Sequence, residues 1–220
     1  MTGTLAFVGG GEWREGCTFD ASLLTAAGTS EVVVLPTAAA YEQPERLVAE
    51  AEAWFESLGA KALGLAVLRR PDALDPANVE LVRRSRFTYL AGGSPMHLRS
   101  VLKDTPLWEA LVASWNDEAV LAGSSAGAMV LCDPMVDPRG GAFTVGLGLL
   151  DGMAILPHAD TWSEDKSHRT LQLAPKGLIV AAVDERTALL REPDGAWRVE
   201  GAGEVVAYRD GERIALADLP

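Results

Sequence analysis

The clearest sign of chemistry in the sequence is a serine within a short glycine-rich turn. The stretch from Ala119 to Ala128 runs from an apolar strand into small residues and then into a helical pattern. It contains the pattern G-x-S-x-G, with Ser125 at the centre and Ser124 at a variable position. Such a turn holds its serine at the edge of a sheet, and the helix start behind it offers free N–H groups to an oxyanion. The spacing predicts a nucleophile elbow; the alternative is a turn that only permits close packing.

A serine nucleophile needs a base, and the chain has three histidines that could serve. His158 follows the apolar run 153–157 and therefore stands at a strand end, as Ser125 does. His97 lies one turn into a predicted helix, where a packing role is expected. His168 lies in a charged stretch that is typical of a solvent-exposed helix face. We therefore predict that His158 is the base.

The group that orients the histidine should be a carboxylate, and the residues leave this choice open. Asp184 and Glu185 follow the apolar run 178–183 and emerge at a strand end, whereas Asp137 lies in a loop nearer the elbow. No histidine follows Glu185. The order of α/β-hydrolases, in which the acid precedes the histidine, therefore cannot be built with Glu185.

Apolar runs alternate with helical patterns along the first part of the chain. The predicted strands are the runs 5–8, 32–35, 62–68, 87–91 and 119–122. Helices are predicted over 44–58 and after the helix-starting pairs Asp75-Pro76, Ser94-Pro95 and Thr105-Pro106. Strands that are apolar along their whole length are buried on both faces, so we expect a mostly parallel sheet between two layers of helices.

The C-terminal part of the chain has a different texture. Short predicted strands follow residue 178, and turn sequences at 193–195 and 210–211 separate them. We expect antiparallel hairpins that belong to one domain spanning residues 1–220. Ligands of open parallel sheets bind beyond the carboxyl ends of the strands. The segments expected there are 9–13, 36–40, 91–96 and 123–128.

Composition excludes several classes of protein. The 220 residues carry a net charge of −12, which repels nucleic acids and anionic membrane surfaces. Two cysteines, Cys17 and Cys132, are too few for a secreted disulfide scaffold. No apolar run is long enough to cross a membrane, and the start of the chain predicts a strand, so we expect a cytoplasmic protein. Dinucleotide, phosphate-loop and zinc-protease motifs are absent, and we expect no metal or organic cofactor.

Five stretches, in this order, resemble the dipeptidase E (aspartyl dipeptidase) and cyanophycinase family of serine peptidases. They are residues 9–11, 89–94, 123–128, 148–158 and 183–189. The resemblance implies a class I glutamine-amidotransferase-like α/β/α sandwich. It also implies a catalytic triad of Ser125, His158 and Glu185. The amides of Gly93 and Ala126 would form the oxyanion hole.

Two positions bear on which peptide such an enzyme would cleave. Aspartyl dipeptidases carry asparagine after the double glycine, where this chain has Ser94. Arg169 lies where a cation could pair with a substrate carboxylate, and an exposed helix arginine is the alternative. The resemblance thus implies an exopeptidase acting on short peptides, with N-terminal Asp-X dipeptides as the expected substrates and a relaxed preference.

Two further readings remain open at this point. One is a cyanophycinase-like hydrolase of aspartate–arginine peptides, and the other is a non-catalytic amidotransferase-like protein that binds a ligand in the same cleft. The sequence is compatible with a homo-oligomer as well as with a monomer.

Overall fold

Helices and strands alternate up to residue 130, and strands predominate after it. The computed structural model describes residues 2–139 and 142–220. Its helices are α1 (Phe19–Ala27), α2 (Pro44–Ser57), α3 (Pro76–Arg84), α4 (Pro95–Leu102), α5 (Pro106–Asn116), α6 (Ala126–Val130) and α7 (Glu164–Gln172). Its strands are β1 (Leu5–Val8), β2 (Glu31–Leu35), β3 (Lys61–Gly64), β4 (Phe87–Leu90), β5 (Val120–Ser124), β6 (Cys132–Asp133), β7 (Met135–Val136), β8 (Phe143–Thr144), β9 (Leu150–Asp151), β10 (Met153–Leu156), β11 (Ile179–Val183), β12 (Thr187–Arg191), β13 (Trp197–Gly201), β14 (Val205–Arg209) and β15 (Glu212–Ile214).

The central sheet has seven strands in the order β13-β12-β1-β5-β4-β2-β3. The strands from β1 to β3 in this order run parallel, and β12 and β13 continue the sheet in antiparallel pairing. A second sheet has the order β10-β11-β14-β15, in which β10 and β11 are parallel. The predicted C-terminal hairpins are therefore present, but they are divided between the two sheets.

Alternate residues of the central strands point into two apolar clusters on opposite faces of the sheet. Leu5 and Phe7 of β1 belong to one cluster, with apolar residues of α3, α4, α5 and α6. Ala6 and Val8 belong to the other, with apolar residues of α1 and α2. Helices thus cover both faces of a mostly parallel sheet, and the predicted three-layer α/β/α architecture is confirmed.

The three predicted helix starts have the expected caps. The side chains of Asp75, Ser94 and Thr105 each accept a hydrogen bond from a backbone N–H in the first turn of the following helix, and proline is the first residue of each helix. Within residues 2–139 and 142–220, no helix combines the length and the apolar character that a membrane crossing requires.

One predicted strand is shorter than expected, and the structure also contains elements that were not predicted, among them the two-residue strands β6 to β9 and helix α1. The strand predicted over 62–68 runs only from Lys61 to Gly64, where its ladder with β2 ends at the pair Val34 and Gly64. Helix α1 was not predicted, although Phe19, Leu23 and Ala27 recur at the four-residue spacing of a buried helix face.

Candidate active site

Ser125 stands between β5 and α6 in a strained backbone conformation. Its φ of 48° and ψ of −106° lie outside the regions that residues with side chains usually adopt. The N–H of Ser125 donates to the carbonyl oxygen of Val8, 2.9 Å away, so β1 holds the turn. A β-carbon on Gly123 would lie 2.4 Å from the carbonyl carbon of Gly127. Glycine is therefore needed where strand and helix approach, and the geometry is that of a nucleophile elbow.

His158 follows β10 and reaches the elbow from the second sheet. Its N–H donates to the carbonyl oxygen of Gly9 at the end of β1, at 2.7 Å. The Nε2 atom of its ring lies 2.8 Å from Oγ of Ser125. The backbone hydrogen bond fixes the start of the side chain, and the ring then extends to the serine.

Glu185 follows β11, next to β10 in the same sheet, and lies on the far side of the imidazole. Its Oε1 is 2.8 Å from Nδ1 of His158, and both side chains are 31% exposed. The N–H of Glu185 donates to Oδ1 of Asp160 at 2.9 Å. An ionised carboxylate only accepts hydrogen bonds, so Nδ1 carries the proton and Nε2 is left to accept from the hydroxyl of Ser125. Serine, histidine and glutamate thus form one chain of hydrogen bonds.

Asp137, the other acid considered for this role, is bound elsewhere. Both of its carboxylate oxygens accept hydrogen bonds from the guanidinium of Arg139, at 2.9 and 2.6 Å. These bonds and a backbone N–H of Arg139 lower the pKa of Asp137 from 3.8 to about 2. The arginine occupies the carboxylate, and the acid hydrogen-bonded to His158 is Glu185.

The two remaining histidines have the environments expected from the sequence. Nε2 of His97 lies 2.9 Å from the carbonyl oxygen of Leu68, and its ring packs edge-on against Tyr41. His168 is exposed on α7, with Nε2 at 2.8 Å from the side-chain amide of Gln172. Neither is joined to Ser125.

Gly93 and Ala126 lie in the two turns that flank the serine. A β-carbon on Gly92 would lie 3.6 Å from Cβ of Ser125, so the turn after β4 faces the elbow. Gly93 has a φ of 133°, and a β-carbon there would lie 2.4 Å from the carbonyl oxygen of Ala38. Ala126 is the first residue of α6, where a helix leaves its amides unpaired. Within the described residues neither N–H donates a hydrogen bond.

The two residues considered for substrate binding have different surroundings. Ser94 is half-buried beside Gly93, and its hydroxyl oxygen accepts the N–H of His97 at 3.3 Å as the cap of α4. Arg169 is exposed on α7, and no hydrogen bond or ion pair joins its side chain to Ser125, His158 or Glu185. Ser94 thus follows Gly92 and Gly93 in the turn that faces the elbow, and Arg169 is exposed on α7.

Sequence reasoning missed Glu12, which also belongs to this site. Its Oε1 accepts the N–H of Gly92 at 3.1 Å, and its Oε2 accepts the hydroxyl of Ser124 at 2.7 Å. The available signal was position, because residues 9–13 were expected at the carboxyl end of β1. The type of the residue gave no indication of these two partners.

Comparison with known proteins identifies the family. The model of peptidase family S51 matches residues 5–199. The chain belongs to peptidase family S51. The resemblance to the dipeptidase E and cyanophycinase family is thereby confirmed, and it extends over most of the chain.

Several curated proteins that are similar to this chain are cyanophycinases. Cyanophycinase of Synechococcus elongatus is 28% identical over 194 residues, which cover 81% of this chain and 59% of that protein. Cyanophycinase of a Nostoc species is 26% identical over 192 residues, which cover 81% of this chain and 64% of that protein. The chain thus spans less than two thirds of the length of these relatives.

Two solved structures are similar along almost their whole length. A peptidase from an acI-B1 actinobacterium is 31% identical, with a TM-score of 0.85 and coverage of 98% of this chain and 97% of that one. A candidate peptidase E protein of Listeria monocytogenes EGD-e is 17% identical, with a TM-score of 0.67 and coverage of 95% and 99%. The second likeness bears on the fold alone.

Proposed function

We propose that this S51 chain is a serine exopeptidase that hydrolyses short peptides through an acyl-enzyme on Ser125. The observation that carries the proposal is the hydrogen-bonded chain from Ser125 through His158 to Glu185, with 2.8 Å at each step. It is supported by the strained turn that presents the serine and by the family to which the chain belongs.

The first step is attack on the peptide carbonyl. Nε2 of His158 removes the proton from Ser125 as its Oγ bonds to the carbonyl carbon. Glu185 keeps the imidazole in the required tautomer and stabilises its cation. The N–H groups of Gly93 and Ala126 donate to the oxygen on which negative charge develops.

The second step releases the products. His158 gives its proton to the leaving amine, and the C–N bond breaks to leave the acyl group on Ser125. Water then attacks the ester carbon while His158 accepts a proton from it. The bond from this carbon to Oγ breaks, His158 returns the proton to Oγ of Ser125, and the acid product leaves. These steps need only the side chains and amides already described.

For the substrate, we propose N-terminal Asp-X dipeptides, cleaved with a relaxed preference. Ser94 stands where aspartyl dipeptidases carry asparagine, and its hydroxyl already caps α4, so one polar contact to the substrate is weaker. Arg169, which is exposed on α7, is the cation proposed to pair with the substrate carboxylate.

A cyanophycinase-like action on aspartate–arginine peptides is the second candidate. Two observations favour it. The curated relatives are cyanophycinases that cover 81% of this chain. The carboxylate of Asp160 accepts the N–H of Glu185, and that of Glu12 accepts the hydroxyl of Ser124, the residue before Ser125. A cationic substrate would suit such acidic surroundings.

Labelling with a fluorophosphonate tests the serine chemistry directly. The wild-type protein should be labelled on Ser125, as located by mass spectrometry of its peptides, and Ser125→Ala should be neither labelled nor active. Ser100→Ala, at an exposed serine of α4, is the matched control and should react like the wild type. A wild-type protein that is neither labelled nor active on any dipeptide would overturn the proposal in favour of a ligand-binding protein.

The substrate is tested by comparing kcat/KM for a panel of Asp-X dipeptides with kcat/KM for β-Asp-Arg. Higher values for Asp-X support the aspartyl dipeptidase, and a higher value for β-Asp-Arg supports the cyanophycinase-like enzyme. Equal labelling of Ser125 is expected in both cases.

A further inference from the structure

We propose that Glu12 is a positioning residue that ties the turn after β4, which carries Gly92 and Gly93, to the nucleophile elbow at Ser125. The inference rests on the proposed serine chemistry and adds a residue to it. Glu12 is half-buried in the loop after β1, on a different strand end from Ser125 and from Gly93.

Each oxygen of the Glu12 carboxylate is bound to a residue that precedes a group of the site. Oε1 accepts the N–H of Gly92 at 3.1 Å, and Gly92 precedes Gly93. Oε2 accepts the hydroxyl of Ser124 at 2.7 Å, and Ser124 precedes Ser125. One carboxylate therefore holds the backbone of Gly92 and the side chain of Ser124, on the two sides of the position where the tetrahedral intermediate would form.

The sheet itself does not provide this connection. The ladder between β4 and β5 ends at the pair Leu90 and Gly123. Beyond it the two chains enter separate turns, and the distance between the turns must be set by other contacts. Glu12 reaches from the end of β1, past β5, to the turn after β4, and so joins three strand ends.

The packing around the carboxylate is close. A β-carbon on Gly92 would lie 3.1 Å from Oε1 of Glu12 and 3.6 Å from Cβ of Ser125. The side chain of Ser124 is completely buried, so without Glu12 its hydroxyl would lose its acceptor. A displacement of about 1 Å between reacting groups can cost about 100-fold in rate, which is why this connection matters for catalysis.

Two substitutions at position 12 distinguish the hydrogen bonds of Glu12 from the effect of its negative charge. In Glu12→Gln the amide oxygen can still accept from Gly92, and the amide N–H₂ can donate to Oγ of Ser124. In Glu12→Ala both contacts are lost. We expect Glu12→Ala to lower kcat by roughly 10- to 100-fold with KM within about threefold of the wild type, and Glu12→Gln to recover kcat to within about fivefold. Glu15→Ala, an exposed acid of the same loop, is the control and should match the wild type.

Breaking one arm of the tie provides an independent test. Ser124→Ala should lower kcat less than Glu12→Ala, and the double variant should be no slower than Glu12→Ala alone, because both changes remove the same contact. This variant also tests the tie if Glu12→Ala does not fold: a kcat equal to that of the wild type in Ser124→Ala would then overturn it.

Several outcomes contradict the proposal while leaving the serine chemistry intact. A Glu12→Ala protein that melts at a lower temperature but keeps its kcat would make Glu12 purely structural. A Glu12→Gln protein as slow as Glu12→Ala would mean that the negative charge acts on the substrate. The rate of fluorophosphonate labelling distinguishes failure of the proposed function from failure of the role proposed for Glu12. An unlabelled wild type refutes the proposed function, whereas equal labelling rates in wild type and Glu12→Ala refute the tie alone.

Discussion

The imidazole of His158 lies directly against Gly10, in the space that a side chain would occupy there. A β-carbon on Gly10 would be 2.2 Å from Cε1 of the ring and 2.7 Å from each ring nitrogen. Gly10 also has a φ of +112°, a conformation that favours glycine. The lack of a side chain at Gly10 thus lets the ring of His158 lie between Ser125 and Glu185.

Substituting Gly10 should therefore remove activity through the ring of His158. Gly10→Ala forces the imidazole to move, and we expect kcat to fall by at least about 100-fold. Gly28→Ala is the control, since Gly28 also has a positive φ but an added β-carbon would meet nothing within 4 Å. It should melt at a slightly lower temperature and keep its kcat. Equal losses of kcat in the two variants would mean that backbone strain, and not the ring, is responsible.

The choice between two acids is tested by removing one charge at a time. Glu185→Gln should lower kcat by roughly 10³- to 10⁴-fold, because the amide no longer holds the imidazole in the productive tautomer. Asp137→Asn loses an ion pair with Arg139 and should stay within about threefold of the wild-type kcat. Steady-state kinetics on one dipeptide measures both. The opposite ranking would assign the third role to Asp137.

Arg169 should matter only for substrates with a negatively charged first residue. Losing one charge-assisted hydrogen bond to the substrate is expected to lower kcat/KM for Asp-X by roughly 10- to 100-fold, and peptides with an uncharged first residue should be unaffected. Arg46→Ala, at an exposed arginine of α2, is the matched control. A uniform loss over all peptides would give Arg169 a structural role.

Ser94 is tested by restoring the residue of aspartyl dipeptidases. Ser94→Asn offers the substrate an amide, and asparagine can still cap α4. The ratio of kcat/KM for Asp-X to that for other dipeptides should rise by roughly 10-fold. An unchanged ratio would mean that this position does not set the preference.

The buried carboxyl of Asp20 should make stability fall as the pH rises. Burial raises its pKa from 3.8 to about 8, although the indole N–H of Trp54 donates to Oδ2 at 2.9 Å. Between these pKa values the unfolded chain has released a proton that the folded chain retains, so each increase in pH favours unfolding. From pH 5 to pH 7 the melting temperature of the wild type should fall by roughly 5–10 °C relative to Asp20→Asn. If the melting temperatures of the wild type and Asp20→Asn changed equally with pH, the raised pKa of Asp20 would be contradicted.

Local sequence patterns were enough to find the serine and the histidine of the candidate site. Ser125 lies in a turn whose residue types are dictated by the close approach of Gly123 and Gly127. His158 was selected by its place after an apolar strand. Both signals are local, since each comes from residues adjacent in the chain.

The contacts that sequence reasoning missed are long-range. Glu12 binds partners 80 and 112 residues away, and no local rule distinguishes it from the other acids of the chain. Local patterns left Glu185 and Asp137 open, and only the family resemblance favoured Glu185, because the approach of Glu185 to His158 depends on the pairing of β10 with β11. Turn residues predicted the C-terminal hairpins, but packing alone decides which sheet each one joins.

Ser125 follows a strand of the seven-stranded sheet, whereas His158 and Glu185 follow adjacent strands of the four-stranded sheet. On the ribosome, the serine is synthesised 33 residues before the histidine, and the glutamate 27 residues later still. A nascent chain that has completed β5 therefore has the serine without the histidine and the glutamate of the proposed triad. The proposed triad is complete only when the strands of the second sheet have been added and the two sheets have docked.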